Sequence, residues 1–204
     1  MKRIVIGFCM VIVMLIPAYT EVTGEPSAQG CSLTEASAPA VRSLRLGMSV
    51  DQLVGLFPGS AKRKEIKEAL EKVKASTSNE PMMLAFDPAA DAAGQAFAGV
   101  DSVSASVYKG RVIAFNVVYV GTTWRTIDEW VEKVAQTYGL PAAARWEAGP
   151  NENPNRVLGC SGIEIEAAIQ GGGSSIRVRN KDALKGMSER LNAADESKRR
   201  EFKP

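Results

Sequence analysis

Two acidic side chains, Glu164 and Glu166, lie two residues apart in an apolar stretch that favours a β-strand. Side chains two apart in a strand share one face, so this pair could supply the general acid and base of a glycosidase-like enzyme. The hairpin register derived below instead places Arg179 opposite Glu166 and Lys181 opposite Glu164. We therefore expect ion pairs on an exposed face rather than catalysis.

Other motifs for catalysis or metal binding are incomplete. The sequence contains no histidine, which removes the usual general base and the usual zinc ligand. The Gly-Cys-Ser-Gly of 159–162 lacks the spacing of a nucleophile turn, and the glycine run 171–173 lacks the ending of a phosphate-binding loop. Asp87, Asp91 and Asp101 lack the alternation of a calcium loop. We expect no catalytic residue, no metal site and no cofactor.

Aromatic and arginine side chains in connecting segments are the best candidates for binding. Tyr119, Trp124 and Arg125 lie at or near the connection that precedes a predicted helix, and Trp146 precedes a Gly-Pro-Asn loop. Such side chains on loops are favoured interface anchors. The alternative is that both tryptophans pack under that helix as core residues.

The N-terminus has the pattern of a secretory signal. A basic start at Lys2 and Arg3 precedes an apolar run, 4–16, that is shorter than the roughly 20 residues of a membrane-spanning helix. We expect cleavage after Thr20 or, preferably, after Gly24, which makes 1–24 a signal peptide. The protein would then be periplasmic or secreted, with no stable membrane span; the alternative is an anchor formed by an uncleaved N-terminal helix.

Two cysteines remain after loss of Cys9 with the signal. Cys31 and Cys160 would meet an oxidising compartment, and a disulfide between them is expected. It would fasten the N-terminal segment to a late strand. Unpaired thiols or an intermolecular bond are the alternatives.

Hydrophobic periodicity and turn residues predict an α+β fold, with helices packed on an antiparallel sheet. Two Ser/Thr-x-x-Gln/Glu capping boxes, at Ser49 and Thr126, mark helix starts. The predicted helices begin at Ser49 and cover 62–74, 126–138 and 182–194, and the predicted strands cover 82–86, 102–108, 111–120, 144–147, 157–160, 163–169 and 175–180.

Glycine turns set the predicted strand registers. The turn Lys109-Gly110 pairs the neighbouring strands as Tyr108 with Arg111, Val107 with Val112 and Ala105 with Ala114. The second strand of this hairpin is apolar on both faces, so it should be central in the sheet. Across the glycine run 171–173, the predicted pairs are Ile169 with Ile176 and Ala167 with Val178.

The same patterns give the domain organisation. The segment 25–43 is rich in Ser, Ala, Pro and Gly and is interpreted as a flexible linker, 44–194 as one α+β domain, and 195–204 as a disordered tail. Both halves of the domain, about 44–121 and 122–194, have a capped helix followed by strands. A tandem repeat of a helix plus an antiparallel meander is therefore a further prediction.

The segments Leu46-Gly47-Met48-Ser49-Val50-Asp51-Gln52-Leu53 and Leu56-Phe57-Pro58-Gly59 resemble the opening of the SmpA/OmlA (BamE-like) envelope proteins. That family shares a helix-helix-then-strands unit with the β-lactamase-inhibitor-like fold. The resemblance implies a small non-catalytic module that binds other envelope or exported proteins. The lipidated cysteine that the family's lipoproteins carry just after the signal is missing here.

These observations predict a function in binding. A net charge of +2 gives no reason to expect a nucleic-acid partner. We expect a non-enzymatic module that binds another envelope or exported protein. Two alternatives remain: an inhibitor of an exported enzyme, whose aromatic loops would form one exposed patch, and a small-molecule binder or carboxylate-based enzyme with a pocket lined by Glu147, Glu164 or Arg177.

Overall fold

The computed structural model describes residues 31–75, 81–121, 124–150, 153–170 and 172–201. The predicted signal peptide 1–24 lies outside this part. The described helices are α1 Val50–Gly55, α2 Lys64–Lys74, α3 Ile127–Tyr138 and α4 Lys181–Glu201. The described strands are β1 Met82–Phe86, β2 Val100–Tyr108, β3 Arg111–Tyr119, β4 Glu147–Ala148, β5 Asn155–Gly159, β6 Ile163–Gln170 and β7 Gly173–Asn180.

The seven strands form one antiparallel sheet in the order β1-β2-β3-β7-β6-β5-β4. The predicted α+β class is confirmed, and so is the interior position of β3. Two meanders, β1 to β3 and β4 to β7, meet where β3 pairs with β7. This order is compatible with a tandem repeat, which stays a prediction.

The hydrophobic core lies on one face of the sheet. Phe115 and Val117 of β3 alternate toward this face, and Val131 and Val134 of α3 are buried in the same cluster. Helix α3 lies over β5 and β6, and the indole nitrogen of Trp130 donates a hydrogen bond of 3.1 Å to the Ser175 carbonyl of β7. This bond fixes the helix to the middle of the sheet.

Both predicted helix starts are confirmed, but only one has the complete capping box. At Ser49, the backbone N–H of Gln52 donates to the serine hydroxyl, and the Gln52 side chain accepts from the Ser49 N–H. At Thr126, the hydroxyl accepts from the Glu129 N–H at 3.2 Å. The Glu129 carboxylate instead accepts from the N–H of Arg125 at 3.2 Å, one residue earlier than the motif predicts.

The β2–β3 hairpin follows the prediction only near its turn. The two turn-proximal pairs are confirmed: Tyr108 with Arg111 and Val107 with Val112. Ala105 lies opposite Phe115, so its predicted pairing with Ala114 is wrong. The physical reason is a register shift between Ser106 and Val107, which offsets the rest of the pairing by one residue.

The predicted register of the β6–β7 hairpin is also wrong. Ala167 pairs with Ile176 rather than with Val178, a shift of two residues. A two-residue shift leaves every side chain on its predicted face, so the apolar pattern cannot distinguish the two registers. The turn decides between them, because Gln170 pairs with Gly173 and leaves a two-residue connection.

The ends of the described chain are more ordered than the composition suggests. Helix α4 continues to Glu201, beyond its predicted end at 194, and an exposed ion pair of 3.3 Å joins Arg200 to Glu196 one turn away. In the segment interpreted as a linker, Val41 is 0% exposed and forms two backbone hydrogen bonds with Leu44, of 3.1 and 2.9 Å. A disulfide joins Cys31 to Cys160.

Among the helices in the described part of the chain, none has the length and apolar character needed to cross a membrane.

Candidate functional site

The four residues proposed for binding are placed in three different environments. Tyr119 and Trp124 line one cleft of about 380 Å³. Arg125 is exposed and is not among the residues that line it. Trp146 is only 5% exposed and donates from its indole nitrogen to the Pro141 carbonyl at 3.0 Å, so it is a core residue. The structure thus brings together two of the four.

The cleft, called here the aromatic cleft, lies between the second half of α3 and the adjoining ends of β3 and β7. Tyr119 of β3 and Ser174 of β7 are directly paired across the two strands. The complete lining is Arg42, Tyr119, Trp124, Trp130, Lys133, Val134, Thr137, Tyr138 and Ser174.

Four aromatic rings form the apolar part of the aromatic cleft. The Trp130 ring contacts Tyr119 edge-on, with centroids 5.6 Å apart, and Trp124 at a tilt, with centroids 5.3 Å apart. Trp130 is itself held to β7 by its hydrogen bond to Ser175. Such mutually packed rings lose little side-chain entropy when a ligand binds, so the surface is suited to an apolar group.

The hydroxyl groups of Tyr119 and Tyr138 share a hydrogen bond of 3.2 Å. Burial raises the pKa of Tyr119 well above its ordinary value of 10.0, and the hydrogen bond to Tyr138 raises it further, whereas Arg42 acts in the opposite direction. The phenol of Tyr119 therefore keeps its proton at neutral pH. It can donate or accept a hydrogen bond but does not act as a base there.

Two cations border the rings. The Arg42 guanidinium lies 5.5 Å from the centroid of the Tyr119 ring and also donates to the Ala96 carbonyl at 3.3 Å. Lys133 is exposed on α3. No aspartate or glutamate belongs to the described lining. The electrostatic potential of the cleft is therefore expected to be positive.

The backbone that carries Arg42 is strained. Arg42 and Ser43 have φ of 52° and 71°, the left-handed region that non-glycine residues rarely adopt. They form a two-residue turn between the paired residues Val41 and Leu44. Burial of Val41 and Leu44 opposes the strain and holds Arg42 over Tyr119.

Two buried polar atoms of the lining residues have no hydrogen-bond partner within the described segments: Nε1 of Trp124 and Oγ of Ser174. Buried polar groups are nearly always paired in folded proteins. The indole N–H can only donate, whereas the serine hydroxyl can donate or accept.

The carboxylate pair considered for catalysis is engaged in ion pairs. The Glu166 carboxylate contacts Arg177 at 3.4 Å and Arg179 at 3.2 Å, and it accepts from the Asn155 side chain at 3.0 Å. Arg179 also contacts Glu164, where Lys181 was predicted. The ion pair between Glu166 and Arg179 is present, but as a diagonal contact: Arg177 lies opposite Glu166, so the predicted cross-strand pairing is wrong, and Glu166 is buried rather than exposed. Among the described residues, no group of acidic or cysteine side chains has the arrangement of a metal site.

Several lining residues were not predicted as binding residues. Trp130 and Tyr138 were assigned to the apolar stripe of the helix, and their eight-residue separation does place them on one face of α3. Thr137 and Lys133 lie at the polar edge of that stripe. Arg42 carries no sequence signal, because its contact with Tyr119 joins residues far apart in the chain.

Comparison with known proteins leaves the chain without a similarity-based assignment, since no family model matches it and neither a curated protein nor a solved structure gives a significant match.

Proposed function

We propose that this protein is an exported, non-catalytic binding module of the cell envelope or secreted space, and that it holds a partner protein through the aromatic cleft. The observation that carries the proposal is the preformed set of four rings, from Tyr119, Trp124, Trp130 and Tyr138, bordered by two cations. Aromatic side chains and arginine dominate binding energy at protein interfaces.

The chemistry of the lining favours binding over catalysis. Its titratable groups are the two cations and the two phenols, and the raised pKa of Tyr119 keeps that group neutral. General acid–base catalysis needs a group that exchanges a proton near the working pH. The described lining offers anchoring groups and hydrogen-bond donors instead.

Two features support export. The sequence 1–24 has the pattern of a secretory signal, and the disulfide between Cys31 and Cys160 suits an oxidising compartment. Both features bear on where the protein is located. The nature of its partner is inferred from the aromatic cleft.

A small-molecule ligand is the second candidate, and the size of the aromatic cleft favours it. A volume of about 380 Å³ lies near the lower end of the range for ligand pockets, about 300–1,000 Å³. An enzyme inhibitor that uses both loop tryptophans is less well supported, because Trp146 belongs to the core.

Site-specific photo-crosslinking tests the proposal with a matched control one residue away. Thr137 lines the aromatic cleft, whereas Gln136 is exposed on the same helix but is not part of the described lining. A crosslinker at Thr137 in the full chain, expressed in its native cells, should capture one defined exported protein that the same crosslinker at Gln136 does not capture. Equal capture at both positions, or none at Thr137, would contradict the proposal.

A further inference from the structure

We propose that the occupant of the aromatic cleft is the C-terminal residue of a partner protein, an aromatic or large aliphatic residue whose carboxylate is bound between Arg42 and Lys133. This inference rests on the proposed function and names the chemistry of its partner. Three properties of the cleft carry it: its rings, its uncompensated positive charge and its closed strand edges.

The rings select the side chain. Trp130 contacts both Tyr119 and Trp124, so the three rings form one continuous apolar surface. Burial of an apolar side chain against such a surface removes apolar area from water and therefore stabilises the complex. A polar side chain would gain little there.

The charge selects a carboxylate. Arg42 and Lys133 border the cleft, and its described lining contains no acidic side chain. Neither cation forms an ion pair with an acidic residue in the described part of the chain. Trp124 and Ser174 add two buried polar atoms without a described partner. A carboxylate is an acceptor with two oxygens, so it complements cations and N–H or O–H donors together.

The strand edges favour a chain end over an internal segment. Tyr119 pairs with Val100 on one side and Ser174 on the other, while Ser174 also pairs with Ile169. Both strands are interior at the cleft, and the opposite wall is helical, so no free strand edge is present there to pair with an extended peptide. A terminal residue combines a side chain and a carboxylate in one small unit, which fits a cleft of about 380 Å³.

The test uses four acetylated probe peptides and the full chain as purified from expressing cells. The probes are Gly-Gly-Phe with a free carboxylate, the same peptide as its amide, Gly-Gly-Ser with a free carboxylate, and an amidated Phe-Glu-Gly. Binding is measured by calorimetry and by the emission of the cleft tryptophans. We expect the free Gly-Gly-Phe to bind best and its amide to bind about tenfold more weakly.

The contribution of the charge of Lys133 is tested by removing it and, as a control, by removing the charge of a lysine outside the cleft. Lys133→Gln should weaken binding of the free Gly-Gly-Phe by about two- to fivefold and leave the amide unaffected, because an exposed lysine contributes only modestly to a charge pair. Lys67→Gln removes an exposed lysine of α2 that lies outside the lining and should change neither affinity. Equal affinity of acid and amide would overturn the inference, as would equal binding of Phe-Glu-Gly amide, which would assign the carboxylate to an acidic side chain.

Two further outcomes separate this inference from the proposed function. If Thr137 captures a defined protein but the free carboxylate gives no advantage, the partner-binding role stands and the chain-end chemistry fails. If the free Gly-Gly-Phe binds better than its amide but Thr137 captures no defined protein, the cleft takes an aromatic acid and both proposals about a protein partner fail. Thr137→Trp should block the free peptide, whereas Gln136→Trp adds the same ring outside the lining and should not.

Discussion

The two tryptophans of the aromatic cleft differ in the hydrogen bonding of their indole N–H groups. Trp130 donates to Ser175, whereas the buried N–H of Trp124 has no partner among the described residues. Loss of a satisfied buried hydrogen bond costs about 1 kcal/mol and also leaves the carbonyl without its donor. Loss of an unpaired buried donor instead removes the cost of burying that group.

Trp130→Phe should therefore lower the free energy of unfolding by at least about 1 kcal/mol more than Trp124→Phe does, because each variant shrinks one ring but only the first breaks a hydrogen bond. Urea unfolding followed by circular dichroism measures both. Equal losses would show that Nε1 of Trp124 is paired in solution. If the cleft binds a carboxylate through that N–H, Trp124→Phe should also weaken the free Gly-Gly-Phe probe.

Tyr119 makes the stability of the protein depend on alkaline pH. Its pKa is raised in the folded protein by burial and by Tyr138, so above about pH 10 the unfolded chain releases this proton and the folded one keeps it. The unfolded state then binds fewer protons, and stability falls as pH rises, by about 1.4 kcal/mol per pH unit from this group. Below about pH 10 the contribution is complete.

Tyr119→Phe should reduce the loss of stability between about pH 9 and about pH 11, because the titrating hydroxyl is gone and the ring remains. The measurement is urea unfolding at both pH values for the wild type and the variant. Parallel pH profiles for the wild type and Tyr119→Phe would refute the assignment.

At the scale of the element, the ends of the helices follow rules that are local enough to be predicted. Ser49, Thr126 and Gly139 mark helix boundaries in the sequence, and the structure places a boundary at each. Their interactions join residues within about one turn. The extension of α4 to Glu201 was not predicted, because charged residues are compatible with both an exposed helix and a disordered tail.

Two glycines at helix ends should respond oppositely to the same substitution. Gly139 ends α3 with φ of 63°, whereas Gly55 lies in α1 without positive φ, and in neither case would a Cβ meet another atom within 4 Å. Gly139→Ala should cost about 1 kcal/mol of strain, and Gly55→Ala should stabilise by about 0.5–1 kcal/mol. Thermal unfolding of both variants measures these changes in stability. Destabilisation by Gly55→Ala would contradict the helical backbone assigned to Gly55.

Strand registers mark the limit of local prediction. Alternation correctly assigns the faces of β6 and β7 but is blind to a shift of two residues, so Ile176 was paired with Ile169 rather than with Ala167. Between β2 and β3, the register shift next to Val107 leaves Ile113 of β3 without a cross-strand partner in the register, and an isoleucine is no signature of such an irregularity. The elements themselves were predictable, whereas their mutual offsets depend on turn geometry and on packing against the rest of the sheet.

At the scale of the whole molecule, the aromatic cleft exists only because distant segments converge. Tyr119 and Trp124 were candidates because aromatic residues near loops are conspicuous, but Arg42 and Ser174 approach them through the pairing of Val41 with Leu44 and of β3 with β7. No periodicity links such positions. Trp146 is equally conspicuous in sequence, but it is buried in the core, where its indole nitrogen donates to the Pro141 carbonyl.

The N-terminal segment that carries Arg42 has both a covalent and a buried apolar attachment to the rest of the domain. The disulfide from Cys31 to Cys160 spans a sequence separation of 129 residues, and Val41 with Leu44 provides a separate buried attachment next to Arg42. A crosslink across so long a loop restricts the unfolded chain and stabilises the folded protein by about 4–5 kcal/mol in the chain-entropy description. The attachment at Val41 acts in the folded state only.

The double variant Cys31→Ala, Cys160→Ala should therefore lose about 4 kcal/mol of unfolding free energy, and wild-type protein unfolded in the presence of a thiol reductant should lose a similar amount. Proteolysis within 31–40 should accelerate, because that stretch then keeps only noncovalent contacts, such as the one between the side chains of Glu35 and Asn180. Affinity for the free Gly-Gly-Phe probe should be unchanged under native conditions, since the buried pair Val41 and Leu44 still places Arg42 over Tyr119. A loss of unfolding free energy below about 1 kcal/mol would mean that the unfolded chain is already restrained without the disulfide. A loss of probe affinity would mean that the disulfide, rather than the buried pair Val41 and Leu44, positions the Arg42 guanidinium.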